Sequence, residues 1–119
     1  MSPKLKAFVI NSLRRAMFRW IPRSVALDSA LTTEGDFNIK KDKDRSKKKY
    51  ICAHCNGIFR SKEINVDHID PVVNPDEGFV GFDKYIERMF CNVDGFQVLC
   101  KECHDAKTYL ETQLRRKDD

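Results

Sequence analysis

The chain has 119 residues, enough for one domain with a short additional segment. Because only 41% of the residues are hydrophobic and 34% are charged, we expect a small core that needs support beyond apolar burial. No apolar run approaches the ~18 residues of a membrane span, and residues 7–10 are too short for a signal-peptide core. We therefore expect a cytoplasmic protein that neither spans a membrane nor is secreted.

The net charge of +4 is unevenly distributed. Residues 1–49 hold 13 Lys or Arg and 5 Asp or Glu, whereas residues 50–119 hold 9 and 13. This division predicts a basic arm and linker over 1–49 that meets a polyanion, and a separate domain over 50–119. The alternative is a lysine-rich segment that only keeps the protein in solution.

The basic half is predicted to be helical. Ser2 and Pro3 are typical of a helix start, and apolar residues follow at helical spacing until Ile21 and Pro22, which we expect to end the helix. A second helix is predicted over 24–31, followed by a loop over 32–36. Residues 40–49 hold seven Lys or Arg and no apolar residue, which predicts a solvated linker.

The second half is predicted to alternate strands and helices. Short strands are expected at 50–51 and 58–59, at 64–66 running into residue 68, and at 96–99. Asp83 is expected to cap a helix that runs through residue 90, and a last helix is predicted over 101–116. The expected fold class is therefore α+β.

Four of the five cysteines form two pairs with two intervening residues, which is the spacing of a tetrahedral metal site. We expect one structural Zn²⁺ held by Cys52, Cys55, Cys100 and Cys103. Disulfides are one alternative, which the odd cysteine count and the expected lack of secretion disfavour. Redox-active pairs are another, but two such pairs in so short a chain favour a metal site. Cys91 is interpreted as a small core residue, and His54 as a solvent-facing residue of the first pair's turn.

Three further residues have types suited to catalysis. Asp67 and His104 offer an oxygen and a nitrogen that can hold Mg²⁺ or Mn²⁺, while His68 can take a proton from an attacking water. Lys107 lies one helical turn after His104 and can contact a phosphate. The alternative is that Asp67 and His68 form a surface turn and His104 merely follows the metal cysteines.

Two motifs together resemble an HNH endonuclease of the ββα-metal class. They are VDHIDP at residues 66–71 and FQVLCKECHDAKT at residues 96–108, and the upstream CAHC at 52–55 is similar to the zinc-containing branch of that family. Residues 5–8 and 19–23 resemble small HNH endonucleases of tailed bacteriophages. The resemblance implies a small ββα-metal core that cleaves DNA to 5′-phosphate and 3′-hydroxyl ends. In it, His68 would be the general base and Asp67 and His104 the ligands of the catalytic cation.

The chain departs from this pattern at one position. The family's asparagine, which braces the loop presenting the base, corresponds to Gly95. Either Asn92 or Asp94 is a possible substitute, and the residues do not decide between them. Thr108 stands where some relatives have a further ligand, so we expect two protein ligands for the cation.

Basic side chains are the expected contacts to DNA phosphates, with weak sequence preference. The resemblance also implies a role in phage genome processing or packaging in the host cytoplasm, with a terminase or another packaging component as partner. A zinc-containing nucleic-acid-binding module without catalysis is the alternative function, and a protein–protein adaptor is a third. The expected DNA contacts are Lys4, Arg14, Arg15, Arg19, Lys47, Lys48, Lys49 and Lys107.

Overall fold

The protein has an α+β fold, as predicted. The computed structural model describes residues 1–32 and 48–117, with side chains described through residue 114. Residues 33–47, which include most of the predicted basic linker, lie outside this description. The elements in chain order are α1 (Pro3–Met17), α2 (Ile21–Ser29), β1 (Leu31–Thr32), β2 (Lys49–Ile51), β3 (Ile58–Arg60), β4 (Ile64–His68), α3 (Phe82–Met89), β5 (Phe96–Cys100) and α4 (Lys101–Lys117).

The N-terminal segment forms two helices whose junction differs from the prediction. Ser2 caps α1 by accepting a hydrogen bond from the backbone N–H of Leu5 at 3.2 Å. The helix ends at Met17, and Ile21 and Pro22 begin α2 instead of ending α1. A proline is accommodated in the first turn of a helix because its missing N–H would have no partner there. The predicted start of the second helix at residue 24 was therefore three residues late.

The predicted strands pair into two antiparallel sheets. β2 lies between β1 and β3, with Tyr50 opposite both Leu31 and Phe59. β4 pairs with β5 along its whole length, so that His68 at its end lies opposite Phe96. This second sheet leads directly into α4, giving the β-β-α order that the resemblance implies.

Helix α3 starts two residues earlier than predicted. Gly81 is its N-cap residue and has φ +123°, a conformation that an L side chain rarely adopts. Asp83, predicted as the cap, instead lies in the first turn, where a negative charge suits the helix dipole. Tyr85 and Met89 form the buried face of the helix.

The core is small, as the composition predicts, and it includes two of the paired cysteines. Helix α2 packs against β4, β5 and a short 3₁₀ turn at Val93–Gly95. These contacts join the N-terminal helices to the rest of the protein, while the division at residue 49 stays a prediction. No helix in the described ranges is both long enough and apolar enough to cross a bilayer. The buried hydrophobic residues are Ala26, Tyr50, Cys52, Tyr85, Met89, Phe96, Val98, Leu99 and Cys100.

Candidate active site and metal centre

The four paired cysteines converge at one point between the two sheets and α4. Their sulfur atoms all lie within 4.8 Å of one another, and Cys55 Sγ is 4.0 Å from Cys100 Sγ. Tetrahedral Zn–S bonds of ~2.3 Å place two sulfurs about 3.8 Å apart, so the sulfur spacing suits such an ion. All five cysteines are free thiols. The cluster is compatible with a structural metal such as zinc, and the disulfide alternative is not what the structure contains.

A tight turn holds the first cysteine pair. Within it, Asn56 adopts a left-handed φ of +61° and donates its backbone N–H to the Cys52 carbonyl at 2.9 Å. Gly57 allows close packing, because a Cβ there would lie 2.7 Å from the Phe59 ring. The turn is tied to β5 by the backbone N–H of Ala53, which donates to the Val98 carbonyl at 2.8 Å. A backbone hydrogen bond thus joins the two chain segments that carry the cysteine pairs.

The sulfur environment differs among the four cysteines. Burial of Cys52 raises its pKa, but backbone N–H groups from Cys55, Cys100 and His54 lower that pKa to about 6. Hydrogen bonding to the Cys100 thiol raises the pKa of Cys103 to about 12. The lowered pKa favours the thiolate form of Cys52 and the raised pKa favours the thiol form of Cys103, and a bound cation would favour loss of the Cys103 proton. His54 is exposed with Nδ1 3.8 Å from Cys103 Sγ, outside the four-sulfur group.

A groove lies beside the four-cysteine cluster. It has a volume of about 580 Å³, and both Asp67 and His68 at the end of β4 line it. His104 and Lys107 reach it from the first turns of α4. The structure thus brings together the four residues that the sequence singled out for chemistry.

His68 is oriented by the main chain of α3. Its Nε2 lies 2.8 Å from the carbonyl oxygen of Met89, the last residue of that helix. Because a carbonyl only accepts hydrogen bonds, Nε2 carries the proton and Nδ1 is left as the basic nitrogen. The ring also packs against Phe96, with centroids 4.8 Å apart. The imidazole is therefore held in the tautomer that can accept a proton through Nδ1.

Lys107 is the centre of a charged cluster at the groove. Its ammonium lies 3.0 Å from Asp67 Oδ2, 2.7 Å from Glu111 Oε1 and 3.0 Å from the His68 carbonyl oxygen. Burial tends to lower the pKa of Lys107, but its bonds to Glu111 and Asp67 raise it overall. Sequence reasoning missed Glu111, which also lines the groove. Its spacing of four residues after Lys107 and seven after His104 placed it on the same helix face.

Asp67 and His104 are the expected ligands of a catalytic cation. Asp67 Oδ2 is buried and its partner is the Lys107 ammonium at 3.0 Å, so this oxygen lies where a positive charge, from an ammonium group or a metal ion, is favourable. His104 is partly buried, with Nδ1 3.8 Å from Asp105 Oδ1. Within residues 1–32 and 48–114, the only ligand group of three or more is formed by the four cysteines. Asp67 and His104 both line the groove, and their role as ligands of a catalytic cation stays a prediction.

The position of the missing asparagine is closely packed. A Cβ at Gly95 would lie 2.5 Å from Cys91 Sγ, so a larger residue fits there only if Cys91 moves. The Gly95 carbonyl accepts the backbone N–H of Ile69 at 2.9 Å, which fixes the chain just after His68. The main chain of Gly95 thus holds the start of the loop that follows His68. The Asn92 side chain is exposed and makes no capping hydrogen bond.

The basic residues predicted to bind DNA are differently placed. Of those in the described N-terminal helices, Arg14 alone lines the groove, alongside Met17 and Phe18. Lys47 lies outside the described residues, and the roles of the others stay predictions. Lys4, Arg15, Arg19 and Lys48 are exposed, and Lys49 begins β2.

Comparison with known proteins supports the same family. The chain is 34% identical over 70 residues to a "Probable HNH endonuclease" of Lactococcus phage SK1. The matched residues cover 57% of this chain and 64% of the phage protein, slightly less than two thirds of that relative's length. No protein-family model and no solved structure matches the chain. The similarity confirms the resemblance to HNH endonucleases of phages that the sequence motifs indicate.

Proposed function

We propose that this protein is a divalent-metal-dependent DNA endonuclease of the HNH type, which hydrolyses phosphodiester bonds. The observation that carries the proposal is the state of His68 in the groove. Its Nε2–H is bound to the Met89 carbonyl, so Nδ1 is the nitrogen available to a water molecule. The phage relative named as an HNH endonuclease supports the same activity.

The proposed chemistry assigns one task to each groove residue. His68 Nδ1 takes the proton from the attacking water, which turns the water into a nucleophile near neutral pH. Asp67 and His104 would hold Mg²⁺ or Mn²⁺, and such a cation stabilises charge on the phosphate and on the departing 3′ oxygen. Lys107 on α4 and Arg14 on α1 both line the groove and supply positive charge to the phosphate backbone. By the resemblance, the products would carry 5′-phosphate and 3′-hydroxyl ends.

The four cysteines would hold a structural zinc ion in this proposal. Cys52 and Cys55 belong to the turn between β2 and β3, whereas Cys100 and Cys103 belong to the end of β5 and the start of α4. One ion bound by all four fixes the first turn of α4 relative to both sheets. Because His104 directly follows Cys103, the ion also fixes the position of a proposed catalytic ligand.

Affinity for DNA would come from the basic N-terminal helices and linker. Each contact of a Lys or Arg with a phosphate releases counterions, so binding should weaken steeply as salt rises. The proposed setting is phage genome processing or packaging in the host cytoplasm, with a terminase or another packaging component as a partner. The phage origin of the similar endonuclease supports the phage part of this setting.

A plasmid cleavage assay tests the proposal. Zinc-loaded wild type and the variants His68→Ala and Val80→Ala are incubated with supercoiled plasmid and Mg²⁺ or Mn²⁺, with and without EDTA. Val80 is exposed and does not line the groove, so its variant is the control. We expect cation-dependent cleavage by wild type and Val80→Ala and at least a hundredfold slower cleavage by His68→Ala. Salt-sensitive DNA binding by an inactive wild type would instead support the binding module.

A further inference from the structure

We infer that Trp20 is a positioning residue for His68, acting through the chain segment that ends α3. This inference rests on the proposed nuclease function. Trp20 lies at the junction of α1 and α2, where it is the N-cap residue of α2. It does not line the groove, so its effect on the reaction would be indirect.

The side chain of Trp20 holds the end of α3 in two ways. Its indole N–H donates a hydrogen bond to the Cys91 carbonyl oxygen at 2.7 Å, across 71 positions of sequence. Its ring packs edge-to-face on Phe90, with centroids 5.7 Å apart. A short, partly buried bond and an aromatic contact on adjacent residues restrict both the position and the rotation of this segment.

The same segment orients the imidazole of His68. The last carbonyl groups of a helix lack partners within the helix. The carbonyl of Met89, the last residue of α3, accepts from His68 Nε2 at 2.8 Å, and the carbonyl of Cys91, two residues later, accepts from Trp20. These two acceptors are separated only by Phe90. A rotation of the segment about Phe90 would therefore change the hydrogen bond that selects the His68 tautomer.

The neighbouring turn extends this connection to the backbone that follows His68. Gly95 packs directly against Cys91, and its carbonyl accepts the N–H of Ile69 at 2.9 Å. Helix α2, which begins immediately after Trp20, contacts the same 3₁₀ turn. The segment from residue 89 to residue 95 thus contacts the His68 ring and the backbone N–H of Ile69 that follows it, and Trp20 holds the same segment at Phe90 and Cys91. By this inference the N-terminal helices belong to the catalytic framework.

The variant Trp20→Phe tests the inference, because it retains an aromatic ring against Phe90 and removes the N–H. We expect kcat for cleavage of a DNA duplex to fall about tenfold or more, since displaced catalytic groups lose rate steeply. KM should stay within about twofold, because Trp20 does not line the groove. Ile21→Ala is the matched control, since the adjacent Ile21 side chain is 74% exposed, and it should behave as wild type.

Ring-nitrogen NMR of His68 supplies a readout that does not depend on cleavage. In wild type we expect the neutral imidazole to carry its proton on Nε2, and in Trp20→Phe a mixture of both tautomers. A wild-type kcat together with wild-type ring shifts in Trp20→Phe would overturn the inference. If wild type itself does not cleave DNA, the proposed function fails, and the ring shifts alone decide whether Trp20 orients His68.

The single tryptophan offers a second test if Trp20→Phe does not fold. Growth with benzothienylalanine in place of tryptophan changes only Trp20 and replaces the ring N–H by sulfur at nearly the same shape. Folding and zinc content are checked first. We expect the same loss of kcat and the same tautomer change, and unchanged values of both would contradict the inference.

Discussion

The proposed zinc centre makes the stability of the whole protein depend on one ligand. The variant Cys100→Ser removes a sulfur that lies 4.0 Å from Cys55 Sγ and belongs to the four-sulfur group. Cys100 also belongs to the core, since it is 3% exposed and packs with Cys52 and Leu99. We expect this variant to lose its zinc and its cooperative unfolding transition.

The magnitude follows from the size of the core. The described part of the chain buries nine hydrophobic residues, and two of these are metal cysteines. A domain of this kind has a free energy of unfolding of about 5–15 kcal/mol, while structural zinc binds with about 10–16 kcal/mol at neutral pH. Losing the ion therefore removes a free energy as large as the entire stability of the domain.

The assay combines metal content with thermal unfolding followed by circular dichroism. Wild type should contain about one zinc ion per chain, and both EDTA treatment and Cys100→Ser should abolish the transition. Cys91→Ala is the matched control, because Cys91 lies outside the four-sulfur group. It should keep the zinc ion and lose no more than about 2 kcal/mol. A Cys100→Ser protein that melts like wild type would refute the proposed role of the metal.

Three further predictions concern the groove and its supports. Lys107→Met should lower the free energy of unfolding by about 1–3 kcal/mol in urea, because the buried Asp67 oxygen loses its partner, and added Mg²⁺ should restore part of the loss. An unchanged urea midpoint would contradict this. Arg14→Ala should weaken DNA binding and reduce its salt dependence by about one counterion in fluorescence anisotropy, whereas an unchanged slope would place Arg14 away from the DNA. Gly95→Ala should cost about 1–3 kcal/mol in thermal unfolding because its Cβ meets Cys91 Sγ, and adding Cys91→Ala should recover part; full stability of Gly95→Ala alone would argue against this packing.

The features that were predicted correctly depend on local sequence patterns. Alternating and β-branched residues indicated β4, and the two cysteine pairs indicated a four-sulfur site. Strand β4 then brings Asp67 and His68 to the end of the sheet that carries Phe96, where Lys107 from the second turn of α4 contacts both residues. Because the residues of each motif lie next to one another in the sequence, they could be recognised without knowledge of the fold.

The features that were missed depend on ambiguous or distant signals. A proline is compatible with the end of one helix and with the first turn of the next, so Pro22 did not fix the junction. The hydrogen bond of Trp20 to Cys91 joins residues 71 positions apart, and that of Lys107 to the His68 carbonyl joins residues 39 apart. No local pattern encodes such pairs, because they arise only when the elements pack together.

The central claim is that His68 activates water in a cation-dependent DNA nuclease. Chemical rescue tests it most directly: His68→Gly, shown to be folded and zinc-loaded, is assayed on a DNA duplex with Mg²⁺ or Mn²⁺, with and without added imidazole. We predict cation-dependent cleavage by wild type, loss of at least a hundredfold in His68→Gly, and partial recovery when imidazole replaces the missing base. Cleavage by His68→Gly at the wild-type rate without imidazole would contradict the assignment, and an inactive wild type would contradict the nuclease itself.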